Sequence, residues 1–133
     1  MVRFDPEPPY NGPVDRRIPS SIVRDPIAIR IYEALLPILD GLGEYWVQEE
    51  RTSLNLAAGR APFLGVHPHR KGIRFNLVLA RPIYGERLGK VEQVSKNCYH
   101  NQVDVASPEG LDRELIGWIR EAYALQVAGP ART

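Results

Sequence analysis

The sequence predicts an α+β fold, in which an antiparallel sheet of four to five strands forms a meander and packs on one face against two helices. Two segments, at about 26–40 and about 108–127, repeat apolar residues at helical spacing. Between them, several short segments alternate apolar and polar residues with the period of two that marks half-exposed strands. A chain of 133 residues is also long enough to bury a core without disulfides or a metal.

The first helix is marked by its ends. Asp25 suits the N-cap, Pro26 suits the first helical position, and Gly41 suits the position after the last turn. Pro37 removes a backbone donor, so the last turn is expected to kink or to end early. The apolar stripe of this helix is expected to comprise Ile27, Ile31, Ala34, Leu35 and Ile38.

Four strands are expected in the middle of the chain. They cover residues 52–56, 63–67, 73–79 and 99–105. A short aromatic extended segment at 44–48 precedes them. Residues 82–96 are interpreted as a long loop with room for a short strand or a helical turn, and such loops are often functional.

The second helix is expected to begin with Ser107 as its cap and Pro108 in its first position. Its buried stripe should contain Leu111, Leu115, Trp118, Ile119 and Ala122. Dense prolines predict an extended arm at 1–24, and small residues predict a flexible tail at 129–133. A loosely held arm is favoured, and the alternative is an arm that packs along the domain with Phe4, Tyr10 and Ile18 as anchors. The sequence therefore predicts one domain at 25–128.

Composition excludes several classes of protein. The formal net charge is +1, which lacks the basic footprint of a dedicated nucleic-acid binder. Cys98 is the only cysteine, so no internal disulfide can form, and a buried inert thiol is favoured over a nucleophile activated by Lys96 or His100. No apolar leader follows Met1 and no segment has the length of a membrane span. We expect a soluble cytoplasmic protein.

The outward positions of the predicted strands carry hydrogen-bonding residues, and these form the candidate site. They are Asn55, Arg74, Asn76, His100, Gln102 and Asp104, with Ser53 beside them. The leading hypothesis is a binding module that holds a small anionic ligand or a protein partner on this polar face and the 82–96 loop. The alternative is an enzyme in which Asp104 orients His100 and Arg74 holds a carboxylate or phosphate. A solvated face stabilised by cross-strand pairs is the simplest interpretation.

Two further patterns lie in the loop after the second strand. His67 and His69 have a spacing that can share a metal, but a site needs more ligands and the adjacent Arg70 and Lys71 repel a cation. We therefore predict a surface hairpin, with no metal and no cofactor. The basic residues of 60–74 suggest a weak nucleic-acid binder as a third hypothesis. The chain lacks the Gly-rich phosphate loop and the G-x-S-x-G and H-E-x-x-H motifs of common enzyme classes.

The central hairpin and the closing segments resemble a small bacterial domain of unknown function, whose members are sometimes labelled "predicted transport protein". The hairpin reads RAPFLGVHP at 60–68 and KGIRFNLVL at 71–79. The closing segments read YHNQVDV at 99–105, LDREL at 111–115 and WIREAY at 118–123. The resemblance covers about 27–123 and implies an α+β domain akin to the YdhG-like and YjbR-like groups. It implies no catalytic residue, although His100 matches a histidine that the family tends to show. A monomer or a homodimer is expected.

Overall fold

Two helices and one six-stranded antiparallel sheet make up the described part of the fold. The computed structural model describes residues 18–19, 21–22, 25–59, 61–69 and 71–128. The described residues leave out most of the arm predicted at 1–24 and the whole tail predicted at 129–133. They also leave out Arg60 and Arg70. The helices are α1 (Pro26–Asp40) and α2 (Arg113–Val127). The strands are β1 (Trp46–Glu49), β2 (Leu54–Ala58), β3 (Ala61–Pro68), β4 (Ile73–Leu79), β5 (Leu88–Ser95) and β6 (Cys98–Val105).

The strand order is β1-β2-β3-β4-β6-β5, so the sheet is not a simple meander. After β4, residues 80–87 connect to β5, which is the outer strand. The chain then turns back into β6, which lies between β4 and β5 and pairs with both. The predicted α+β class and antiparallel sheet are confirmed, but the sheet has six strands rather than four to five. Within 82–96, interpreted as a loop with room for a short strand, the structure has the eight-residue strand β5, whose side chains are exposed on both faces and therefore show no alternation.

Helix α1 begins where the sequence predicts. The Asp25 carboxylate caps it by accepting hydrogen bonds from the backbone N–H groups of Ile27 and Ala28. The predicted bounds of 26–40 are confirmed: the helix continues past Pro37 to Asp40, so of the two effects expected of this proline it does not show the early end. The buried face comprises Ala28, Ile31, Tyr32, Leu35 and Leu39. It is rotated from the predicted stripe, in which Ile27, Ala34 and Ile38 prove half-buried.

Helix α2 begins later than expected. Ser107 precedes a short 3₁₀ turn at Pro108–Gly110, and the helix itself is capped by Asp112, whose carboxylate accepts from the Leu115 N–H at 3.0 Å. The predicted stripe is largely confirmed: Leu111, Leu115, Ile119 and Ala122 are buried and Trp118 is half-buried. The helix packs across β2, β3 and β4.

The apolar residues of the sheet and of both helices form a common core cluster. Successive inward positions align across the strands; Leu54, Val66, Phe75 and Val103, for example, lie in one row. Most of the intervening positions on β4 and β6 are polar and half-exposed or exposed, as the alternation predicts, and Gly65 on β3 is buried. This second face of the sheet holds the candidate site.

Candidate functional site

A row of carboxamide side chains crosses the half-exposed face of the sheet. The strand register places Gln48, Asn55, Gly65, Asn76 and Gln102 directly opposite one another on β1, β2, β3, β4 and β6. Residues directly opposite on antiparallel strands project from the same face. With a strand spacing of about 4.8 Å, the row spans about 19 Å. Three of the predicted residues, Asn55, Asn76 and Gln102, therefore lie in one line.

Gly65 interrupts the row, and three neighbouring side chains converge on it. A β-carbon at this position would lie 3.3 Å from Asn55 Oδ1, 3.3 Å from His67 Nε2 and 3.2 Å from Asn76 Cβ. The absence of a side chain at Gly65 is what lets these groups approach one another. We call this region the Gly65 site, formed by Gln48, Asn55, Gly65, His67, Asn76 and Gln102.

Two polar atoms of the Gly65 site are buried without a hydrogen bond. Within the described part of the chain, neither Asn76 Oδ1 nor Gln48 Nε2 has a partner. Buried polar atoms are normally paired, and an unpaired one costs about 1–3 kcal/mol. The site therefore has hydrogen-bonding capacity that the protein itself does not use.

His67 is a residue of this site that the sequence prediction missed. The prediction placed it at the junction of the strand 63–67 and the following hairpin loop, whereas β3 continues to Pro68 and places His67 opposite Arg74 on the polar face. Although the residue is exposed overall, burial of its ring lowers the pKa of His67; Arg74 lowers it further, and Glu50 acts in the opposite direction. These effects together favour the neutral form of the imidazole.

Arg74 is engaged by residues of the protein. Its Nε donates to Asp104 Oδ1 at 2.7 Å and its NH2 donates to Asp104 Oδ2 at 3.1 Å, which makes a bidentate pair. The same NH2 lies 3.1 Å from His69 Nε2, which must accept because a guanidinium has no acceptor. Arg74 holds the pKa of Asp104 below its usual range. An anionic ligand would therefore compete with Asp104 for Arg74.

The structure does not bring His100 together with Asp104. Both residues lie on β6, and four residues of strand separate their backbones by about 13 Å. His100 is opposite Val78 on β4 and Glu92 on β5. Ser53, predicted to face outward beside Asn55, is buried just before β2 begins. The predicted catalytic arrangement of His100, Asp104 and Arg74 is therefore not assembled.

The chain matches a known family over nearly all of the described residues. Residues 20–126 correspond to a domain of unknown function, DUF5655. The chain belongs to this family. No curated protein and no solved structure matches it. The matched region of this DUF5655 domain contains every residue of the Gly65 site.

The two histidines of the H-x-H pattern have different environments in the DUF5655 domain. His69 Nε2 accepts from Arg74, which engages one of its two ring nitrogens, while His67 Nε2 lies beside Gly65. Across the residues that the structure describes, no group of three or more His, Cys, Asp or Glu side chains could hold a metal ion. A shallow cavity of about 170 Å³ opens beside His69, Lys71 and Asp104.

Neither helix in the described part of this DUF5655 domain has the length and apolar character needed to cross a membrane.

Proposed function

We propose that this DUF5655 domain is a binding module that takes an uncharged, hydrogen-bonding ligand at the Gly65 site. The observation that carries the proposal is that the buried Asn76 Oδ1 has no partner among the described residues, in a site where Asn76 Cβ, Asn55 Oδ1 and His67 Nε2 all lie close to Gly65. A ligand N–H or O–H group placed there would satisfy an acceptor that is already desolvated. Its binding would therefore recover free energy that is lost when this acceptor is buried without a partner.

The charges around the site favour an uncharged ligand over the anion suggested by the sequence. The guanidinium of Arg74 on this face is paired with Asp104, and partial burial of the His67 ring lowers its pKa and so favours the neutral imidazole. What remains is a set of carboxamides, each of which carries two donors and one acceptor oxygen. Such groups suit the hydrogen-bonding pattern of an amide, a polyol or a nucleobase edge.

The other hypotheses have less support. An enzyme built on His100, Asp104 and Arg74 lacks the contact between His100 and Asp104. A nucleic-acid interface would depend on Lys71 together with Arg60 and Arg70, which lie outside the described residues, and on Arg74, whose charge is balanced. The kinship with YdhG-like and YjbR-like groups and the cytoplasmic location stay predictions.

The test is an NMR titration with two isosteric probes, acetamide and acetate. We expect acetamide to shift the backbone amide of Gly65 and the side-chain amides of Asn55 and Asn76, and acetate to shift them at least threefold less. The variant Asn76→Ala should weaken the acetamide response by threefold or more, because it removes the unpaired acceptor. The variant Gly65→Ala should also weaken it, since the new methyl group would occupy the point on which the three side chains converge.

The matched control is Gln93→Ala, which removes an amide on β5 outside the Gly65 site. It should leave the acetamide response unchanged. Equal responses to acetate and acetamide, or an acetamide response that survives Asn76→Ala, would reject the proposal.

A further inference from the structure

Strand β5 is an open edge of the sheet. It pairs with β6 on one side, and none of the described strands pairs with its other side. All its residues after Leu88 are exposed, including Val91 at 38% and Val94 at 54%. An exposed edge presents unpaired backbone N–H and C=O groups that can accept another strand.

We propose that β5 pairs antiparallel with β5 of a second copy of this chain, about a two-fold axis that passes through Val91. The pairing would join two six-stranded sheets into one continuous sheet. A two-fold interface requires a surface that is complementary to itself, so the sequence of β5 must pair favourably with its own reverse.

The charges of β5 meet that requirement in one register. With the axis at Val91, Lys90 lies opposite Glu92 of the partner subunit, and symmetry repeats the pair. Val91 then lies opposite Val91 of the partner subunit, which pairs two exposed β-branched side chains. Shifting the axis to Lys90 or to Glu92 would instead place like charges opposite each other, which is unfavourable.

Both charged side chains are available for such pairing. Lys90 and Glu92 are 67% and 58% exposed, and their mutual contact within one chain is long, with Nζ and Oε1 3.8 Å apart. A solvent-exposed ion pair of this kind contributes little to the stability of one chain. The two side chains can therefore leave it and pair with the partner subunit across the interface.

The shape of β5 limits the strength of the association. Its register with β6 shifts between Leu88 and Val91 and again between Gln93 and Ser95, so the regular stretch is short. Irregularities of this kind reduce pairing at sheet edges. The interface falls in the small, transient class, and we expect a dimer that forms in the concentration range from about 10 μM to about 1 mM.

Analytical ultracentrifugation of the full chain over that concentration range tests the proposal by measuring dimerisation. The wild type is compared with variants in which the charges at positions 90 and 92 are reversed. Lys90→Glu places two acidic residues opposite each other, and Glu92→Lys places two basic residues opposite each other, so each variant should dimerise at least tenfold more weakly. An equimolar mixture of the two variants should associate again, because the carboxylate introduced in one chain then meets the ammonium group introduced in the other. The double variant K90E/E92K should also restore the wild-type dimer.

The matched control is Lys71→Glu, which makes the same charge change at an exposed lysine in the hairpin before β4, outside the β5 edge, and should leave association unchanged. Thermal unfolding of each variant checks that the fold is retained. A wild-type chain that stays monomeric at about 1 mM, or single variants that associate no better together than apart, would overturn the pairing.

Discussion

At the scale of single residues, two glycines differ sharply in what surrounds them. A β-carbon at Gly72 would overlap the carbonyl oxygen of Val105, because the hairpin before β4 lies directly against the end of β6. A β-carbon at Gly117, in the middle of α2, would meet no neighbouring group within 4 Å. The first glycine permits a close backbone approach, whereas the second only leaves the helix more flexible than alanine would.

Gly72→Ala is therefore expected to lower the free energy of unfolding by at least about 2 kcal/mol, since overpacked side chains displace backbone that cannot yield. Gly117→Ala is expected to raise it by about 0.5–1 kcal/mol. Urea denaturation of both variants measures these differences. A Gly72→Ala protein as stable as the wild type would show that the hairpin can shift away from β6.

At the scale of elements, one buried amide holds the connection that sends the chain to the sheet edge. Asn101 Oδ1 accepts from the Ile83 N–H at 3.0 Å, and its Nδ2 donates to the carbonyls of Leu77 and Arg81 at 3.4 and 3.3 Å. Two backbone groups of segment 80–87, the Ile83 N–H and the Arg81 carbonyl, therefore form hydrogen bonds with a side chain of β6, although this segment belongs to no strand. This contact holds the connection between β4 and β5 against β6.

Asn101→Leu should lower the free energy of unfolding by at least about 2 kcal/mol, because it leaves the buried N–H of Ile83 without its acceptor. Hydrogen exchange at the Ile83 amide should accelerate more than the global loss of stability requires. The control Gln102→Leu changes the next residue on the half-exposed face and is expected to cost less than about 1 kcal/mol. Equal effects of the two variants would contradict the role assigned to Asn101.

At the scale of the whole molecule, ion pairs connect segments that are distant in sequence. Arg81 binds Glu121 of α2, and Arg87 binds Asp112 at its start. The pKa of Asp104 is lowered chiefly by Arg74, and that of Asp112 by the Leu115 N–H and then by Arg87. Each carboxylate therefore stabilises the fold above the ordinary aspartate pKa and loses that contribution as the pH falls through its lowered folded-state pKa.

The melting temperature is accordingly expected to fall as the pH drops below about 4, the ordinary aspartate pKa. Asp104→Asn should lower the melting temperature at pH 7 and flatten this acid dependence, so that its curve approaches that of the wild type near pH 2. The effect is small, at most about 1 kcal/mol, because the pair is solvent-exposed. Glu33→Gln, an exposed change on α1, serves as the charge-matched control. If the melting temperature of Asp104→Asn fell with pH in parallel with that of the wild type, the stabilising role assigned to the Asp104 carboxylate would be contradicted.

Local patterns predict those parts of the fold that depend on neighbours in the chain. The Asp25 cap, the bounds of β4 and the buried positions of α2 follow from short-range spacing, and so does the outward direction of Asn55, Asn76 and Gln102. The bounds of strand β5 could not be predicted, and its segment was interpreted as a loop with room for a short strand, because exposure on both faces removes the alternation that identifies strands. The start of α2 was misplaced because Ser107 and Asp112 both suit an N-cap.

By itself, the sequence determined the α+β class, the helix near 26–40, and a sheet with one apolar and one polar face, because apolar periodicity decides which side of each element is buried. Only the tertiary structure decided the strand order and which polar residues meet. Register aligned Gly65 with Asn55 and Asn76, brought His67 over it, joined Arg74 to Asp104 and kept His100 apart from them. Those contacts join residues from different strands, so spacing along the chain carries no information about them.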